Sequence, residues 1–343
     1  MICRSIVLEV IQDAVLCPPE RQKGIKYDLL KHKIEMALDP DFEKVLKMIS
    51  EQKIPNFRDM DLNDIRNLMD NNLFMKENIE IGRIKDVYLG DEKIPARLYE
   101  PKYATRSLIL YFHGGGWVFG SLESHDAVCR RAAMESRSKV LSVAYRLAPE
   151  HKFPTAVEDA FTSYVWARKN AMDLDIDPGR IAVAGDSAGG NISAVVSLMI
   201  KDRGLEKPRL QVLFYPSLGA DFFSQSMREF SDVFFLTSSY MREWFGERYF
   251  RNKNDYLNPY FCPLMHPDLS GLPEAIIITA ENDPFRDQVE TYVAKLGSAN
   301  VPVTGIRAMG MIHAFLNYTY LVPAAADIAN MVWSLAGKKL GST

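Results

Sequence analysis

From residue 38 to residue 73 apolar positions recur at helical spacing. In DPDFEKVLKMI, Phe42, Val45, Leu46 and Ile49 share one face, Asp39 is placed to cap the start, and Pro40 stands just inside it. A break at KIPNF separates this helix from a second around DLNDIRNLM. The pair has a polar side and no strand to partner it, so it is expected to lie over another part of the fold. The period then changes to alternation. IEIGRIKDVYLG, a turn at GDEKIP and ARLYEP read as a β-hairpin, and SLILYF is an apolar run suited to a buried strand. Beyond it the chain switches repeatedly between the two periods. A helix at about 125–136 precedes the strand KVLSVAYRL, and a long helix from near Pro154 precedes RIAVAG. NISAVVSLMIKD is a helix, LQVLFYP and EAIIITA are strands, and RDQVETYVAKLGSA is a helix. The strand VTGIRAM and the helix AAADIANMVWSLAG close the chain. This alternation predicts an α/β fold with a mostly parallel central sheet and helices on both faces.

The interval 218–261 interrupts the pattern. It is dense in aromatic residues from Phe222 to Phe250, with Tyr240 and Trp244 at helical spacing. A packed helix is one reading, and a cap segment inserted between two sheet strands, its rings lining an acyl pocket, is another. The two are compatible, because a cap must itself pack.

Composition narrows the function classes. Hydrophobic residues make up 47% and charged residues 25%, which supplies a sizeable core and argues against disorder as the main state. The formal net charge of −3 offers no electrostatic case for nucleic acid or an anionic membrane as partner. Cys3, Cys17, Cys129 and Cys262 lie too far apart for a metal-ligand pattern and read as reduced thiols. No run reaches the roughly 18 to 20 apolar residues of a membrane span. Glu9, Gln12 and Asp13 interrupt what would be the apolar part of a signal peptide, so a cytoplasmic protein is expected. Residues 1–35 read as an N-terminal extension of open origin, since MALDPDFEKVL from Met36 looks like an ordinary start.

Two glycine motifs carry the chemistry. GDSAGG at 185–190 has the G-x-S-x-G form of a nucleophile elbow, with a strand before it and a helix after it. Gly185 and Gly189 allow the close backbone approach that a sharp strand-to-helix turn needs, and Ser187 projects from it beside a helix N-terminus. HGGGW at 113–117 directly follows the strand SLILYF. Alone, three glycines would read as a flexible turn. Upstream of a G-x-S-x-G, their N–H groups read as donors to an oxyanion, with Gly114 and Gly115 joined by Ala188. His113 itself is read as shaping that loop.

A serine hydroxyl needs a base. In the hydrolase order of serine, acid, histidine, only His266 and His313 follow Ser187. His266 precedes the strand EAIIITA, whose end should supply the acid, so His313 in GMIHAF is preferred. Asp283, just after that strand, is the favoured acid. Glu281 at the strand end and Asp287, placed to cap the next helix, are its rivals.

The order HGGGW, VAYRLAPEHKFPTAVEDA, GDSAGGN, REFSDVFFLT, DLSGLPEAIIITAENDPFRD and GMIHAF resembles the bacterial hormone-sensitive-lipase-like (family IV) esterases of the α/β-hydrolase superfamily. The likeness runs from about residue 38 to the C-terminus. It implies the α/β-hydrolase fold, Ser187 as nucleophile, Asp283 as acid, His313 as base, and Gly114, Gly115 and Ala188 as the oxyanion hole. It implies hydrolysis of short-chain carboxylic esters with no cofactor and no metal, and a homodimer in many members. The catalytic domain would span 36–343, with a helical cap built from about 36–75 and about 218–261. Amidases, deacetylases and lactonases share such a triad, and a non-catalytic small-molecule receptor of this fold would lack the histidine. One departure stands beside the base: the family usually has glycine after that histidine, and here the residue is Ala314. The expectation is a slightly shifted histidine loop, since alanine tolerates fewer φ values.

Overall fold

The protein is described from a computed structural model, which covers residues 37–51, 57, 59–71, 76–219, 223–231 and 239–341. The extension 1–35 and most of REFSDVFFLT lie outside the described residues.

Two helices come first, α1 (Pro40–Glu51) and α2 (Leu62–Asp70). Asp39 caps α1 by accepting from the Asp41 N–H at 2.9 Å, and Asp61 caps α2 in the same way from Asn63 at 2.8 Å. An antiparallel hairpin follows, β1 (Arg83–Leu89) and β2 (Ile94–Glu100). Then come β3 (Leu108–Phe112), α3 (Asp126–Ser136), β4 (Lys139–Val143), α4 (Thr155–Lys169), β5 (Ile181–Asp186), α5 (Ala188–Asp202) and β6 (Leu210–Phe214). After the interruption, which holds α6 (Gln225–Phe230) and α7 (Ser239–Tyr249), the chain ends with β7 (Glu274–Asn282), α8 (Arg286–Ser298), β8 (Val303–Ile312) and α9 (Pro323–Lys339).

The eight strands form one sheet in the order β1-β2-β4-β3-β5-β6-β7-β8, parallel from β4 to β8. Strands β3 to β6 are buried along their whole length, which is why they read as continuous apolar runs. The two-residue alternation sorts their side chains onto two cores. Leu108, Leu110 and Phe112 meet α4 and α5 on one face. Ile109 and Tyr111 meet α3 and α9 on the other. Strand β3 lies between β4 and β5, so the direction of winding reverses there. Crevices at the carboxyl ends of such strands are where open α/β sheets bind ligands. The register brings the two glycine motifs, some 70 residues apart in sequence, side by side: Phe112 pairs with Gly185.

Three sequence expectations change in detail. The strand read from KVLSVAYRL stops at Val143. The Ala144 N–H still bonds Pro95 O of β2, but the Arg146 N–H turns to the buried Asp159 carboxylate at 2.9 Å, which draws the chain off the sheet. The strand read from VTGIRAM runs on to Ile312, because Gly310 adopts φ +73° and a register shift between Ala280 and Asn282 absorbs the irregularity. Asp287 is the second residue of α8 and not its cap.

The segments flanking the sheet dock over its carboxyl end. Phe42 and Val45 of α1 are buried, with the Phe42 ring edge-on to Tyr318 at 5.7 Å. Arg66 of α2 donates to Val118 O and Ala148 O at 3.0 Å each and forks onto Glu150 at 2.8 Å. Ser121 donates to Asp70 at 2.7 Å. Helix α2 is thus tied to the loop that leaves HGGGW. Among the described residues no helix is long and apolar enough to cross a membrane.

Candidate active site

Strand β5 delivers Asp186 to its end, and Ser187 follows at φ +52°, ψ −115°. A non-glycine residue held there is strained, as a serine on a sharp elbow must be. The turn is possible because two side chains are missing. A Cβ on Gly189 would collide with the Phe112 carbonyl, and one on Gly185 would strike both that oxygen and the Gly189 backbone. The elbow is therefore wedged directly against the end of β3.

His313 follows β8 and reaches back over the elbow. Its Nε2 lies 2.9 Å from Ser187 Oγ, and its Nδ1 lies 2.7 Å from Asp283 Oδ2. A carboxylate only accepts, so Nδ1 carries the proton, and Nε2 is left to accept from the serine hydroxyl. Asp283 is buried, and its other oxygen accepts the Phe285 N–H at 2.8 Å, which fixes the carboxylate's orientation. Tyr215 and Phe285 flank the imidazole with ring centroids at 4.9 and 5.2 Å. The rival groups are occupied elsewhere. Glu281 accepts the Gly310 N–H at 2.7 Å, Asp287 accepts the Ser226 N–H at 2.8 Å, and His266 pairs with Asp202 at 3.2 Å. Ala314 does not move the loop into an ordinary conformation. It takes the left-handed one itself, at φ +64°, ψ +22°.

The glycine loop departs from expectation at one position. The Gly114 N–H donates to Asp186 Oδ1 at 2.9 Å and is not available to a substrate. The N–H groups of Gly115, Gly116 and Ala188 have no hydrogen-bond acceptor among the described residues. Gly116 thus has the unengaged N–H that was expected of Gly114. The signal for this was Asp186 itself, a carboxylate that must find donors beside the nucleophile. Both glycines have positive φ, +116° and +59°. A Cβ on Gly115 would strike the Phe119 carbonyl, and one on Gly116 the Phe245 ring of α7.

Behind the loop the ionisable groups are deeply buried. Burial, with His125 beside it, pushes His113 down to about 3, so the ring is neutral. It contacts Gly114 O through Nδ1 at 2.8 Å and stacks on Tyr145 at 4.3 Å, which suits a structural role. Burial pushes the Asp186 carboxyl up, but His125 and the Tyr111 hydroxyl outweigh it and hold the group below the usual carboxylate range.

Residues 109–317 match the family model described as the alpha/beta hydrolase fold. The chain is 41% identical over 286 residues to an arylesterase of Saccharolobus solfataricus, covering 82% of this chain and 93% of that protein. It is 32% identical over 311 residues to an ethyl acetate hydrolase of Pseudomonas putida, covering 87% of this chain and 98% of the relative. Among solved structures it resembles the hyperthermophilic esterase from the archaeon Pyrobaculum calidifontis, with a TM-score of 0.82 and 39% identity over 88% of this chain and 99% of that one. The chain belongs to the α/β-hydrolase superfamily and, within it, to the hormone-sensitive-lipase-like carboxylic ester hydrolases.

Proposed function

We propose that the chain is a serine carboxylesterase for short-chain esters, with Ser187 as nucleophile, His313 as base and Asp283 as its orienting acid. The observation that carries this is the unbroken hydrogen-bond chain from Asp283 through His313 to Ser187, at 2.7 and 2.9 Å. Ser187 Oγ attacks the ester carbonyl while His313 Nε2 takes the hydroxyl proton. Asp283 stabilises the imidazolium and holds its tautomer. The carbonyl oxygen becomes an oxyanion held by the N–H groups of Gly115, Gly116 and Ala188. His313 returns the proton to the departing alcohol. A water then attacks the acyl-serine by the same steps, releasing the acid and restoring Ser187.

The short-chain preference is supported by the name of the Pseudomonas relative and by Phe245, whose ring crowds Gly116. The cap belongs to the same reading, formed by about 36–75 and 218–261 around one catalytic domain. It is supported by the tethering of α2 to the glycine loop through Arg66. A cytoplasmic location rests on the scattered cysteines, and a homodimer on the family likeness.

The test is p-nitrophenyl esters of increasing acyl length, together with labelling by a fluorophosphonate. Ser187→Ala is expected to lower kcat by about 10⁶-fold and to abolish labelling, with the melting temperature preserved. A variant that keeps its activity would overturn the assignment. A rate that rises steadily to long acyl chains would overturn the substrate class.

A further inference from the structure

Asp186 is spent on the oxyanion loop, although it takes no part in the hydrogen-bond chain through Ser187. Its carboxylate is buried between β3 and β5. Oδ1 accepts the Gly114 N–H at 2.9 Å and the Tyr111 hydroxyl at 2.7 Å, and His125 Nε2 stands 3.3 Å away. A Cβ on Gly114 would run into Oδ2, so the loop rests directly on this side chain. Behind it His125 Nδ1 meets Ser124 Oγ at 2.9 Å.

Two physical arguments give this contact a purpose. A stretch of three consecutive glycines has the most backbone freedom to lose and no side chain to anchor it. Oxyanion stabilisation depends on donors that are already in place before charge develops. The charge itself argues the other way. A carboxylate this close to a forming oxyanion disfavours it electrostatically, so its place here must be repaid by what its oxygen holds.

We propose that Asp186 is a positioning residue that sets the glycine loop over Ser187 by gripping the Gly114 N–H. Because Asp186 is covalently joined to Ser187, nucleophile and oxyanion donors share one anchor. The Gly115 and Gly116 N–H groups then converge with that of Ala188 on one point. The inference rests on the assignment of Ser187 as nucleophile.

Asp186→Ala and Asp186→Asn, made in the full chain, separate acceptor from charge. The readouts are kcat and KM on p-nitrophenyl butyrate and the inhibition constant of an alkyl trifluoromethyl ketone. That ketone forms an oxyanion on Ser187, whereas the bound ester does not. Asp186→Ala is expected to lower kcat about 10²-fold, in the range for one lost oxyanion donor, with KM within about threefold. The ketone's inhibition constant should rise by the same factor. Asp186→Asn, which keeps the accepting oxygen, should recover at least about tenfold of that loss. Equal losses in both variants, or a kcat loss not mirrored in ketone binding, would overturn the proposal. Should Asp186→Ala fail to fold, Asp186→Asn decides alone: a kcat loss beyond about tenfold overturns it. Ser187→Ala, run in parallel, keeps the two claims apart. If that variant is active the nucleophile is wrong, whereas inert Asp186 substitutions beside a dead Ser187→Ala sink only this inference.

Discussion

The nucleophile elbow and the helix α7 above it are both close-packed, by opposite means. At the elbow the contacts are made by backbone. Gly185 and Gly189 press against the Phe112 carbonyl, and there is no room for one further carbon. At α7 the contacts are made by rings. Trp244 meets Phe57 at 6.1 Å, Phe245 meets Phe119 at 5.4 Å, and Tyr249 stacks on Trp117 at 4.5 Å. Backbone packing fixes atoms to a fraction of an ångström, which the geometry of attack demands. Ring packing fills a volume and can be refilled by other rings, which suits the proposed role of this region as a wall of the acyl pocket. The elbow should therefore fail sharply when altered, and the wall should fail gradually.

Gly189→Ala tests the sharp side and carries the largest expected effect. The added methyl must push α5 away from β3, at a cost of about 3 kcal/mol or more. Activity should fall at least about 10²-fold in whatever fraction folds, because Ser187 and the glycine loop would part. Thermal melting and the rate on p-nitrophenyl butyrate measure both. A variant with native melting and native rate would show that the elbow has slack.

Phe245→Ala tests the other side. Its ring is half-buried and covers Gly116, so truncation opens space next to the proposed oxyanion donors. The ratio of kcat/KM for octanoate over butyrate esters should rise about tenfold, with kcat on butyrate falling by less. An unchanged ratio would mean that Phe245 closes the fold and not the pocket.

The same contrast explains what could be read from sequence. Strands β3 to β6 were legible because burial on both faces makes them uniformly apolar, and the proposed Ser187, His313 and Asp283 stood out because strand and helix signals frame each one. The engagement of the Gly114 N–H was not legible, for a long-range reason. The group that claims its N–H, Asp186, lies 72 residues on and arrives only through the pairing of β3 with β5. The α7 region was legible as aromatic but not as a set of contacts, since ring-to-ring packing between Trp117, Tyr249 and Phe261 leaves no period along the chain. The grip of Arg66 on Val118 and Ala148 is equally silent in sequence, because its acceptors are backbone carbonyls.

His113 extends the comparison to pH. Its unfolded value is about 6.5, and burial brings the folded one to about 3. Between those values the unfolded chain binds a proton that the folded chain refuses. Its contribution to stability is thus intact above about pH 6.5 and is lost as pH falls toward 3. Melting temperatures of the native protein and His113→Asn, taken from pH 7.5 down to 4.5, should converge as the pH drops. Parallel curves would mean that the ring is protonated at no cost, and the space behind the glycine loop would be less dry than its burial indicates.

The smallest effect is expected at Ala314, where the sharp side of the molecule carries avoidable strain. A non-glycine residue at φ +64° costs about 1 to 2 kcal/mol relative to an ordinary conformation. Ala314→Gly removes that cost but returns roughly 0.5 to 1 kcal/mol of chain entropy to the unfolded state. The net gain should be about 0.5 to 1 kcal/mol, seen as a rise of roughly 2 °C in melting temperature. Because the loop already holds the conformation that glycine prefers, His313 should not move, and kcat on p-nitrophenyl butyrate should stay within about twofold. A large change in kcat would mean that the strain at Ala314 is transmitted to the imidazole, and that the histidine is held by tension in its loop as well as by Asp283.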